Sequence, residues 1–214
     1  MSVIAPAITV ETAEEYKSYV EILQPFASRV QIDISDGEFA PRFLFPADQL
    51  WWPKNWEVDI HAMVSRPVEH VDNLINLKPS LIIFHVETGV NIMPIIEKVK
   101  AAGIKAGIAL LKTTVPATVI DLIKTVDHVL VFTGDLGQYG GTASLMQLEK
   151  VRLIRSINPE VEIGWDGGVN LDNAFTLSHS GVDVLNVGGA IANAEDPAQT
   201  YYELNQEINK RGVI

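Results

Sequence analysis

Short apolar, β-branched segments recur along the chain at residues 3–8, 30–34, 58–63, 81–86, 104–111, 129–132, 161–165 and 184–187. Each has the length and composition of a buried strand. Stretches with helical spacing separate them. Thr12-Ala-Glu-Glu15 reads as a capping box, and Tyr16, Tyr19, Val20 and Leu23 then share one helix face. Ile92, Ile95, Ile96 and Val99 repeat that spacing, as do Val119, Leu122, Ile123 and Val126, and Gly103 ends a helix just before a strand. The Pro- and Trp-rich segment 41–53 reads as a loop with a short helix. Eight strand-and-helix units in series predict an α/β fold, a single (β/α)8 TIM barrel over residues 1–214. A doubly wound open sheet is the alternative, but eight such uniform units on so short a chain favour closure.

Composition narrows the class further. Sixteen Lys and Arg against 27 Asp and Glu give a net charge of −11, which argues against nucleic acid or an anionic membrane as partner. The chain has no Cys, so disulfides, thiolate metal sites and Cys nucleophiles are excluded, and a reducing cytoplasm suits it. The opening MSVIAP lacks the basic and apolar regions of an export signal, and no apolar run approaches the roughly 20 residues that span a bilayer. The expectation is an acidic, soluble, cytoplasmic protein.

In such a barrel the chemistry belongs at the C-terminal strand ends. The second strand ends Gln31-Ile-Asp33-Ile-Ser35-Asp36-Gly37, with Gln31, Asp33 and Ser35 on one face. The third ends Asp59-Ile-His61-Ala-Met63, the fourth His85-Val-Glu87, and the seventh Trp165-Asp166-Gly167-Gly168. One such acid or imidazole is usually a cap or a hydrogen-bonded structural group. Four strands presenting them at one end suggest an active site. His70, His128 and His179, on helices or at a strand start, read as surface residues. The pairs Gly140-Gly141, Gly167-Gly168 and Gly188-Gly189 follow strands six, seven and eight. Turns of this kind offer backbone N–H groups to a phosphate without Lys or Arg, although glycine also serves plain tight turns.

At these residues the sequence resembles the ribulose-phosphate 3-epimerase family, from about Ile4 to Leu204. The segments carrying the likeness are QIDISDGEFAP, DIHAMVSRP, FHVE, KAGIAL and DGGVN, in that order. The resemblance implies inversion of a sugar-phosphate carbon beside a carbonyl by two Asp residues, one removing the proton and the other returning it. By position these are Asp33 and Asp166, and the small phosphorylated sugar is held by Gly140, Gly141, Gly167, Gly168, Gly188 and Gly189. It also implies a divalent metal ion of zinc, manganese, iron or cobalt type, with Asp33, His61 and Asp166 as ligands. Gln31 stands where the family has a His, and its neutral carbonyl oxygen is a weak ligand for zinc-type ions.

Other positions depart as well: Ser35 and Phe132 replace family Met residues, Ala7 a Ser, and FTGDLGQYGGT rewrites the loop after strand six. An epimerase, a related barrel lyase or decarboxylase, and a catalytically inactive phosphosugar-binding barrel are the three readings. The second is weakened because Ser35 stands where an Asp-x-Lys pair would carry its Lys. A homo-oligomer is also consistent, with Trp51 and Trp52 as an interface patch or as a lid over the site.

Overall fold

The computed structural model describes residues 2–210. Eight parallel strands, β1 (Val3–Ile8), β2 (Arg29–Ser35), β3 (Glu57–Met63), β4 (Leu81–His85), β5 (Lys105–Leu110), β6 (His128–Phe132), β7 (Glu162–Asp166) and β8 (Val184–Val187), pair in chain order. Pairing of β8 with β1 closes the barrel. The helices are α1 (Ala13–Leu23), α2 (Pro67–Leu77), α3 (Met93–Ala101), α4 (Ile120–Thr125), α5 (Leu148–Ile157), α6 (Leu171–His179), α7 (Gly189–Ala192) and α8 (Pro197–Ile208). None of the described helices is long and apolar enough to cross a membrane. The expected capping box closes on both sides: the Glu15 N–H donates to Thr12 Oγ1, and the Thr12 N–H donates to the Glu15 carboxylate.

The alternation is not strictly eightfold. Between β2 and β3 the chain makes only a single 3-10 turn, Ala47–Gln49, whereas two helices follow β8. Trp51 and Trp52 lie in that β2–β3 connection. Trp51 meets the Tyr16 ring edge-on, and its carbonyl accepts from the Tyr16 hydroxyl at 2.6 Å.

Alternate residues of every strand face the barrel axis and stack in layers. An apolar cluster of Leu81, Ile83, Ala109 and Leu130 packs inside the barrel on the side of β4, β5 and β6. Beneath it lies an ion network at the N-terminal strand ends. Arg29 donates through Nε to Asp59 at 2.7 Å and through both terminal nitrogens to Glu162 at 2.9 and 2.7 Å. His128 Nδ1 lies 2.8 Å from the same Glu162 carboxylate.

This layer corrects two expectations. His128 is buried, not a surface residue, because Gly164 on the adjacent strand leaves room for its ring; a Cβ at Gly164 would lie 2.5 Å from Nε2. His179 is exposed on α6, and His70 is half-buried on α2. Asp59 belongs to this lower network and not to the C-terminal face, since it sits two residues below His61 on β3.

Burial alone would raise the Glu162 carboxyl, but the hydrogen bonds and charges of Arg29 and His128 outweigh it and hold it well below the usual carboxylate range. A depressed folded-state pKa stabilises above the unfolded value, about 4.3 for Glu, and that stability is lost as pH falls. Glu162→Gln should therefore cost about 2–3 kcal/mol at pH 7, nearly as much at pH 4, and much less at about pH 2, nearer the depressed folded-state value. Urea unfolding at pH 7 and at about pH 2 tests this; an equal loss at both would dissociate Glu162 from the acid sensitivity.

Candidate active site

The upper layer lies at the C-terminal ends of the strands. Strand periodicity turns Gln31 and Asp33 of β2, His61 of β3, His85 of β4, Phe132 of β6 and Asp166 of β7 toward the axis. The register sets Asp33 beside His61 and Phe132 beside Asp166. The barrel thus brings together Gln31, Asp33, His61 and Asp166, which are separated by up to 135 residues in sequence.

Gln31 links the two acids. Its Nε2 donates to Asp33 Oδ1 at 2.9 Å and to Asp166 Oδ2 at 2.6 Å, while its buried Oε1 has no partner. Thr9, just beyond β1, donates through Oγ1 to Asp33 Oδ2 at 2.6 Å, and the Thr9 N–H donates to the Tyr139 hydroxyl at 2.8 Å. His61 Nδ1 lies 3.1 Å from Asp33 Oδ1 and 3.8 Å from Asp166 Oδ2. Burial, and then the neighbouring Asp33 charge, raise the Asp166 carboxyl well above the ordinary carboxylate range.

Behind His61 stands a second imidazole. His85 Nε2 lies 2.8 Å from His61 Nε2, and His85 Nδ1 lies 3.3 Å from Glu87. Phe39 and Phe132 lean on the His85 ring with centroids 4.8 and 5.6 Å away. Phe39 is delivered by a turn that Asp36 ties down: its carboxylate accepts from the N–H groups of Glu38, Phe39 and Ser65. Burial in this surround lowers His85 to about 4, against the opposing pull of Glu87, so its imidazole is neutral at pH 7.

A cavity of about 260 Å³ opens beside the acids. Asp33, Thr9, Phe132 and Asp166 line one part of it, and all three expected glycine pairs line the other. Those turns interlock through their backbones. Gly167 packs on Gly134, Gly168 on Ala143 and Gly141, and Gly189 on Gly140. Asn170, Asn186 and Asn193 add polar side chains, and no Lys or Arg is among the lining residues. The volume falls just below the roughly 300–1,000 Å³ typical of drug-sized ligands, and suits a small polar molecule. Trp51 and Trp52 do not line it.

The donor set can be tested against a divalent cation. One ligating atom each of Asp33, His61 and Asp166 lies within 4.8 Å of the others, the only such cluster among the described residues. Two carboxylates and an imidazole are hard and borderline donors, and a turned Gln31 amide would offer the carbonyl oxygen that now has no partner. The residues present fit a divalent cation.

A model of the ribulose-phosphate 3 epimerase family matches residues 3–192. The chain belongs to that family. Among curated relatives, ribulose-phosphate 3-epimerase of Treponema pallidum is 29% identical over 171 residues, covering 77% of this chain and 78% of the relative. The enzyme of the same name from Schizosaccharomyces pombe is 25% identical over 214 residues, covering 97% and 94%. Similar solved structures include 3-hexulose-6-phosphate synthase from Salmonella typhimurium, with a TM-score of 0.69, 16% identity and 97% and 98% coverage. Orotidine 5'-phosphate decarboxylase from Pyrococcus horikoshii gives a TM-score of 0.69 at 14% identity, covering 98% and 100%. At such identities these two speak to the fold alone.

The structure adds residues to the site beyond those expected from the sequence. Thr9, just beyond β1, and Asn186 of β8 line the cavity, and a polar residue in or next to an apolar run was the available signal. His85 and Glu87 were visible as polar alternation ending β4, but their contact with His61 depends on barrel closure. Tyr139 lies in a loop whose path nothing local dictates.

Proposed function

We propose that this protein is a ketose-phosphate epimerase of the ribulose-phosphate 3-epimerase type, one barrel domain working in the cytoplasm, with Asp33 and Asp166 as the proton-transfer pair. The observation that carries the reading is the convergence of two carboxylates, from β2 and β7, beside a cavity whose other part is lined by glycine turns. The turns at Gly140-Gly141, Gly167-Gly168 and Gly188-Gly189 hold the substrate phosphate through backbone N–H groups, which explains how a chain of net charge −11 binds an anion without a cationic side chain. Anchored there, the sugar reaches along the cavity toward the acids. One carboxylate removes the proton from the carbon beside the carbonyl, and the other, protonated, returns it on the opposite face. The raised Asp166 carboxyl supports this division, because an acid and a base must coexist in one site at neutral pH.

Thr9 and Gln31 steady the carboxylates, so that each oxygen keeps its direction as charge moves. Phe132 walls the cavity and limits water around the reacting carbon. A divalent cation held by Asp33, His61 and Asp166, with Gln31 as a weak fourth ligand, would supply positive charge for the oxygen that becomes an enediolate. The oxygen-rich set favours a hard ion such as manganese over zinc. Gln31→His should raise zinc affinity about tenfold, read by isothermal titration; unchanged affinity would remove position 31 from the cation site.

A second reading, a phosphosugar-binding barrel without catalysis, is favoured by one observation: Gln31 bridges both acids where a cation would otherwise join them. The deciding experiment follows the C3 proton of ribulose 5-phosphate by NMR in D₂O, with and without Mn²⁺. Exchange with appearance of the epimer supports the enzyme. Binding without exchange under either condition would establish the second reading.

A further inference from the structure

We infer that Glu87 and His85 are positioning residues that fix the tautomer of His61, turning its Nδ1 lone pair toward Asp33 and Asp166. The inference rests on hydrogen-bond direction along one chain of contacts. Glu87 Oε1 accepts from the Leu111 N–H at 2.8 Å and from the Thr114 hydroxyl, which leaves Oε2 facing His85 Nδ1 at 3.3 Å. A carboxylate only accepts, and Asp33 Oδ1 already takes the Gln31 Nε2 proton at 2.9 Å, whereas Glu87 Oε2 has no donor but His85 among the described residues; His85 therefore carries its proton on Nδ1. A neutral imidazole has one N–H, and His85 Nε2 is then an acceptor. At 2.8 Å from it, His61 Nε2 must be the donor. The His61 proton is thereby committed to Nε2, away from the acids, and Nδ1 is left with a lone pair 3.1 Å from Asp33 Oδ1.

Such an arrangement leaves two acceptors facing each other, one positive charge short. A proton or a divalent cation between them satisfies both. In the epimerase reading, on which this consequence depends, the pair of outer groups presents His61 as a ready ligand that need not shed a proton first. Metal-ligating His residues gain orientation and basicity from partners of this kind. Both imidazoles are fully buried, with Phe132 against both rings and Phe39 against that of His85.

Glu87→Gln tests the chain by reversing it. The Gln carbonyl oxygen would stay with Leu111 and Thr114, so its NH₂ would face His85 Nδ1 and donate to it. His85 would then carry its proton on Nε2, and His61 on Nδ1. Long-range ¹H–¹⁵N spectra of the histidine rings, taken without metal or substrate, read these states directly. In the wild type His85 should be the Nδ1–H form and His61 should carry a proton on Nε2. In Glu87→Gln the His61 proton should move to Nδ1, and Mn²⁺ alone should bind about 10- to 100-fold more weakly by calorimetry. An Nε2–H form of His85 in the wild type would overturn the inference without any variant being needed. So would a His61 that keeps its proton on Nε2 in Glu87→Gln, whereas a reversed His61 with unchanged Mn²⁺ affinity would overturn the consequence for cation binding. Because the spectra need neither turnover nor cation, a protein inactive on ribulose 5-phosphate would still decide it.

Discussion

Asp166→Asn should abolish inversion at the substrate C3 carbon, lowering it by about 10³-fold or more, while leaving the fold and phosphate binding intact. The amide is nearly the same size as the carboxyl, and its oxygen can still accept from Gln31 Nε2. What it cannot do is take up or give back a proton. Asp33 would remain, held by Thr9 and Gln31, so one face of the substrate would keep a base with nothing opposite to complete inversion. The measurement is appearance of the C3 epimer, with thermal unfolding and phosphate affinity as controls. Unchanged inversion would remove Asp166 from the reaction and leave the second carboxylate without a role.

The other large effect is on folding. Gly167 has φ +115°, a backbone conformation that disfavours any side chain, and a Cβ there would lie 2.0 Å from the Gly134 nitrogen and 2.5 Å from the Thr133 carbonyl carbon. Neither neighbour is a flexible side chain that can swing aside. The Thr133 N–H already donates to the Asp166 carbonyl at 2.6 Å, and its Oγ1 to the Gly167 carbonyl at 2.9 Å, so the two strand ends are pinned together. Gly167→Ala must force β6 and β7 apart where they carry Phe132 and Asp166. A loss of at least about 3 kcal/mol is expected, or a fall in Tm of about 6–12 °C for a chain this size. A variant that folds at all should also bind phosphate poorly, because the interlocked turns move with it. Scanning calorimetry and phosphate titration check both; a shift under 2 °C would mean the two loops are not rigidly joined.

The barrel was legible in its eight strand-like runs, and a period of two set Asp33 and His61 inward, while their grouping with Asp166 was what the family resemblance implied. Position along the strand was harder to read. Asp59 and His61 share β3 and share a face, yet one belongs to the lower ion network and the other to the site. Which end an inward residue serves depends on strand stagger, a property of the closed barrel. His128 was misplaced for a related reason: its space comes from Gly164, a glycine inside a strand whose missing side chain is meaningful only once β6 and β7 are neighbours. The short β2–β3 connection shows a different limit. Its Pro and Trp content argued correctly for a loop, while the series of strands suggested a helix in every gap. At Gln31 the residue type pointed to a weakened ligand, and the amide's second capacity, donating to both acids at once, emerged only with both acids in place.

On β4, β5 and β6 the cluster Leu81, Ile83, Ala109 and Leu130 fills the barrel, and among the described residues no hydrogen bond joins the Arg29 network to the acids at the mouth. With their partners separate, the fold's durability in acid and the reactivity of its mouth become separately adjustable properties. Selection, or an engineer, can rewrite the acids and the glycine turns above without loosening the Arg29 clamp below, and can harden the clamp without slowing the chemistry.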